Sequence, residues 1–138
     1  MTLSPARRPQ LSGVLPWILR IAGAGLLGAM GWIHLDLWEE GYRTVPVIGP
    51  AFLVNAVAAI GLAVLLIAGP RSIIPWVAAL GTLTAAGTVA ALLLATTVGL
   101  FGFQESMQAS HWWESVWVEI AAVVVLGALA VLGGRART

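Results

Sequence analysis

Six acids and two histidines carry most of the reactive chemistry of this chain, and they fall in two short stretches. Asp36, Glu39 and Glu40 follow His34 closely, while Glu105, Glu114 and Glu119 bracket His111. Glu119 is the sharpest of them. It lies well inside an apolar run, where a carboxyl is costly unless it has a partner or a task. His34 and Arg43 are the partners expected for it, and a hydrogen-bonded carboxyl that locks helix register is the plain structural reading. His34, His111, Glu114 and Glu119 together could make a metal site. On a helix beginning at Ser110, His111 precedes Glu114 by three residues, a spacing that turns two ligands toward one ion. Imidazole with carboxylate suits Zn, Fe or Mn. Two further pairs, Met30–His34 and Met107–His111, repeat a spacing of four and suit Cu(I), which favours soft ligands. His34 and His111 are also the one histidine pair available as axial ligands to a haem b. Glu119 is the carboxyl that an oligomeric, proton-coupled small-molecule carrier would use. Asp36, Glu39, Glu40 and Glu105 need be no more than solvated loop charges.

Composition decides what kind of scaffold holds these groups. Hydrophobic residues make up 59% of the 138 residues and charged residues 9%, with a mean hydropathy of +0.94, whereas soluble domains carry about 25% charge. A domain of this length cannot bury so much apolar surface in its own core, so a lipid bilayer must cover the rest. There is no Cys, which excludes disulfides, thiolate metal sites and iron–sulfur clusters. A net charge of +1 with no Lys offers nothing to nucleic acid. No P-loop, dinucleotide-binding glycine fingerprint, HExxH or GxSxG occurs, so no catalytic residue is assigned.

The elements that must position the reactive groups are helices, since no strand alternation is present and helices satisfy their own backbone groups in lipid. Apolar runs at about 14–35, 50–68, 73–100 and 113–132 each reach the roughly 20 residues that cross a bilayer core. The expected fold is therefore an all-α, four-helix transmembrane bundle forming one domain over 1–138. The first run is too long for the apolar part of a cleaved signal peptide and is expected to be retained. Arg7, Arg8, Arg71, Arg135 and Arg137 fall on one side of such a bundle, and only Arg43 falls on the other. Arginine in short loops marks the cytoplasmic side, so both termini are expected inside. Ser110 is the expected N-cap of the fourth helix.

Faces and depth then select the embedded polar groups. At 100° per residue Gly23, Leu27, Met30, Gly31 and His34 share a face, as do Asn55, Ala58, Ala59 and Leu62, and Glu119, Ala122, Leu126 and Ala130. Small residues on these faces should turn them inward, since close backbone approach drives helix association in lipid. Counted from the outer ends, His34, Asn55, Thr96, Thr97 and Glu119 lie within roughly 10 Å of one level. They form an expected polar layer, with Arg43 in the loop above it. Arg20, near the opposite end, should snorkel to phosphates or cap helix carbonyls.

The segment His34-Leu35-Asp36-Leu37-Trp38-Glu39-Glu40-Gly41-Tyr42-Arg43, continued by Val45-Pro46-Val47-Ile48-Gly49, Phe52-Leu53 and Asn55, resembles a pattern in uncharacterised four-span actinobacterial membrane proteins. Size and span count are also loosely similar to the DoxX-like group. The resemblance implies a multi-pass protein of a bacterial cytoplasmic membrane and carries no activity. The function expected is a small integral membrane protein whose extracytoplasmic His/Glu/Asn site binds a divalent metal (Zn, Fe, Mn or Cu) or a partner subunit, heterologous or a second copy. A membrane oxidoreductase or accessory redox subunit with haem b or metal at His34 and His111, and the carrier, are the alternatives.

Overall fold

Helix α1 runs Val14–Glu40, α2 Ile48–Ala68, α3 Ile74–Thr97 and α4 Trp112–Arg135. The computed structural model describes residues 13–135, so Arg7, Arg8 and Arg137, on which part of the expected orientation rests, lie outside the described residues. All four helices are long and apolar enough to cross a membrane, and the protein is a four-helix bundle of the multi-pass membrane class. Large apolar side chains face outward along the helices, among them Val54 at 68% exposure, Leu83 at 69% and Val124 at 65%. Only lipid makes such a surface stable.

The inward faces are the small-residue faces read from the sequence. Leu27, Met30, Ala59, Leu66, Ala78, Ala85, Ala122 and Leu126 are fully buried and form one core. Three glycines set its close approaches. A Cβ at Gly31 would stand 2.9 Å from Ile60 Cγ1 and 3.1 Å from the Ala56 carbonyl, so α1 lies almost on the backbone of α2. Cβ atoms at Gly23 and Gly81 would stand 2.6 and 2.9 Å from the Leu126 side chain, which α4 drives between α1 and α3. Without side chains at these positions the helices gain dispersion contact, the main attraction available between apolar helices in lipid.

One end of the bundle gathers the start of α1, the α2–α3 link and the end of α4. There Arg20 donates from Nε to the Leu66 carbonyl (2.6 Å) and from Nη2 to those of Ile67 (3.2 Å) and Gly69 (3.0 Å). It thereby caps the unpaired carbonyls at the end of α2, with its guanidinium 4.1 Å above the Trp17 ring. Carbonyl capping is one of the two roles expected for it.

At the other end the element boundaries depart from the hydropathy pattern. Helix α1 continues to Glu40, five residues beyond the apolar run that ends at Leu35, because polar residues can prolong a helix into water until a residue breaks it. Gly41, at φ +148, is that breaker. A 3-10 turn at Tyr42–Thr44 then leads into α2. Helix α3 stops at Thr97, short of Leu100, where Gly99 and Gly102 take positive φ and Leu100 and Phe103 exchange backbone hydrogen bonds of 2.8 and 2.9 Å. Helix α4 begins at Trp112, so Ser110 is a turn residue and not the start of the helix.

Candidate functional site

The residues expected to form one four-ligand group divide into two. His111 goes with Asp36 and Glu40; His34 goes with Glu119. Glu114 is exposed on the first turn of α4. The reason is local. Because α4 starts at Trp112, His111 stands before the helix with φ +59 and does not share the helical face of Glu114.

The first group sits where α1 ends. Asp36 and Glu40 are one turn apart on the prolonged α1, hence on one face. His111 Nε2 lies 2.9 Å from Asp36 Oδ2. Ligand-type atoms of Asp36, Glu40 and His111 all lie within 4.8 Å of one another, the one such cluster among the described residues. Trp32 backs the imidazole edge-on, with centroids 5.6 Å apart. Asp36 and His111 are half-buried and Glu40 is exposed, so the group opens to water. By sequence Asp36 and Glu40 need be no more than solvated loop charges. Their spacing of four before Gly41 was the available signal, readable only once α1 was carried past its apolar run.

The second group is inside. His34 is 5% exposed and Glu119 1%. His34 Nδ1 lies 2.9 Å from the Met30 carbonyl. A carbonyl can only accept, so Nδ1 carries the proton. Nε2 faces Glu119 Oε1 at 4.0 Å, too long for a hydrogen bond. Glu119 Oε2 is buried with no hydrogen-bond partner among the described residues. The expected meeting of His34 with Glu119 is present; Arg43, the other expected partner, is exposed on its 3-10 turn. Asn55 donates from Nδ2 to Thr88 Oγ1 (2.6 Å), while its own Oδ1 is buried and unpartnered. His34, Asn55, Thr88 and Glu119 all line one cavity of about 370 Å³. Of the two threonines placed in the polar layer, Thr96 Oγ1 accepts from Trp112 Nε1 (3.0 Å), whereas Thr97 is exposed and bonds back to the Leu93 carbonyl. The two Met–His pairs share no environment: Met30 is in the core and Met107 is exposed.

The α1–α2 and α3–α4 links close over this cavity. The Tyr42 hydroxyl donates to Glu105 Oε2 at 2.8 Å, and the Glu105 backbone N–H donates to the Ala95 carbonyl at 2.9 Å. The Tyr42 ring stacks on Phe52, which in turn meets the His34 ring edge-on. Burial first, and then the hydrogen bond the hydroxyl donates to Glu105, push the Tyr42 phenol well above its ordinary range. By sequence Glu105 need be no more than a solvated loop charge; its pairing with Tyr42 is not readable there because a 63-residue separation leaves no local pattern.

No protein-family model, curated protein or solved structure matches this chain.

Proposed function

We propose that this is a small multi-pass membrane protein that binds a divalent metal ion at the acidic end of its bundle, through Asp36, Glu40 and His111. The observation that carries the reading is the convergence of those three ligand atoms within 4.8 Å, from two elements far apart in sequence. Two carboxylates with one imidazole suit a borderline or hard divalent ion such as Zn, Mn or Fe(II), and solvent at the exposed side can complete its coordination. The αL backbone of His111 supports the same reading, because a non-glycine residue held there is often tied to a site. By the arginine rule this end is extracytoplasmic, in a bacterial cytoplasmic membrane. Haem ligation by His34 and His111 draws less support, since each imidazole faces its own carboxyl group.

The test is calorimetric titration of the full chain in detergent with Zn(II) and Mn(II), paired with elemental analysis. One ion per chain is expected, lost in both Asp36→Asn and His111→Ala. Binding of the parent that persists unchanged in both variants overturns the assignment.

A further inference from the structure

The cavity around Glu119 is a second site, separate from the metal group, and we infer that it binds an amphiphilic amine: a compact apolar body with a protonated amino head seated on the Glu119 carboxylate. Its walls are mostly apolar, contributed by α2, α3, the α3–α4 link and the start of α4, with Phe52, Ala91 and Trp112 among them. A volume of about 370 Å³ falls in the range of ligand pockets, which combine apolar walls with a few convergent polar groups.

The polar groups around Glu119 are mostly acceptors. Thr88 Oγ1 spends its own proton on the Thr84 carbonyl at 2.6 Å, so it must accept from Asn55 Nδ2. That fixes the amide and leaves Asn55 Oδ1 as the unpartnered atom. His34 has its proton on Nδ1, engaged with Met30, and presents a bare Nε2 toward Glu119. Glu119 Oε2 is unpartnered and Glu119 is 1% exposed. The cavity also takes in the hydroxyls of Ser110 and Ser115 and a second carboxyl, Glu105, whose two oxygens already accept from Tyr42 and the Ser106 N–H. The unpartnered carboxyl is that of Glu119, and with no arginine bonded to it among the described contacts it calls for a ligand that brings both donors and positive charge. An ammonium supplies up to three N–H donors and the counter-charge, and such charge-assisted bonds strengthen where water is excluded. A neutral alcohol supplies one donor and no charge; a carboxylate ligand supplies neither.

The mouth indicates where the ligand comes from. Leu83 and Gly87 line the cavity and are exposed on α3 within its apolar span. The cavity therefore reaches the lipid-facing side between α2 and α3, the route of a solute already dissolved in the bilayer. No atom stands within 4 Å of a Cβ built at Gly87, so the mouth is open there.

Three probes with one body and different heads test this: 1-adamantylamine, 1-adamantanol and 1-adamantanecarboxylate, titrated against the full chain in maltoside micelles. Calorimetry reads saturable binding, and Gly87→Phe ties it to this cavity. The amine is expected to bind saturably and at least tenfold more tightly than the alcohol, with no saturable binding of the carboxylate. Glu119→Gln should weaken the amine at least tenfold, and Gly87→Phe should block it by filling the mouth. Should Glu119→Gln fail to fold, Gly87→Phe decides alone, because the new side chain starts from open space. Equal affinity for the alcohol or carboxylate, no saturable amine binding, or amine binding unchanged in Gly87→Phe overturns the proposal.

Discussion

His111 Nε2 and Asp36 Oδ2 stand 2.9 Å apart and join the end of α1 to the residue that precedes α4. The contact closes a ring of chain 75 residues long at the place where, among the described residues, two acids and an imidazole come together. Glu40 completes it only because α1 outlasts its own apolar run.

A metal ion bound there should stabilise the fold by mass action. With free Zn(II) or Mn(II) at 100 times its dissociation constant the gain is about 2.7 kcal/mol. Thermal unfolding in detergent should therefore rise with added metal and return to the apo value on chelation. In Asp36→Asn the metal-dependent part of the rise should vanish. A rise of equal size in parent and variant would place the ion elsewhere.

Tyr42 is the only tyrosine in the chain, so tyrosinate absorbance near neutral to strongly alkaline pH reports this residue alone. Its phenol is held above the usual value of about 10, by burial first and by Glu105 second. Because the folded value exceeds the unfolded one, the contribution to stability is complete below about pH 10 and is lost as pH rises through the folded value. The absorbance step should lie above pH 10 in the parent. In Glu105→Gln it should move down but stay above the ordinary range, since burial remains. Tyr42→Phe should show a shallower alkaline loss of stability. A parent step at the free-tyrosine value would refute the burial.

Much of this was legible in the residues themselves. The buried faces of α1 and α4 followed from Gly23, Leu27, Met30, Gly31 and His34 and from Glu119, Ala122 and Leu126, because small residues at helical spacing leave few other ways to pack in lipid. The approach of His34 to Glu119 followed from depth and face together. The division of the acids did not. Hydropathy marks where lipid ends, not where a helix ends, so Asp36 and Glu40 read as loop charges. Likewise the αL backbone of His111 leaves no trace in periodicity, and moving the start of α4 from Ser110 to Trp112 removed His111 from the face of Glu114.

Gly31 and Gly28 lie on the same helix but meet different surroundings. A Cβ at Gly31 collides with Ile60 and nears the Ala56 carbonyl, whereas nothing lies within 4 Å of one at Gly28. Gly31→Leu should push α1 off α2 and cost about 1–3 kcal/mol, the usual penalty of overpacking. Gly28→Ala should stay within about 1 kcal/mol of the parent, with helix propensity in its favour. Denaturant unfolding in mixed micelles compares the two, and equal losses would contradict the interface.

Arg20 supplies the last contrast, because its role can be separated from simple snorkelling. Its guanidinium reaches three carbonyls at the end of α2, and that of Leu66 is engaged by a buried bond. Arg20→Met removes the donors and leaves those carbonyls unpaired beside apolar side chains. Hydrogen bonds to charged groups are worth about 1.5–3 kcal/mol each, with partial overlap within one fork, so the loss should be about 2–4 kcal/mol. Arg20→Lys keeps the charge but not the planar fork, and should recover only part of the loss. The same unfolding assay reads both. If Arg20→Lys matched the parent, the charge alone would matter and the residue would be serving the lipid headgroups; if Arg20→Met matched it, the cap would contribute nothing.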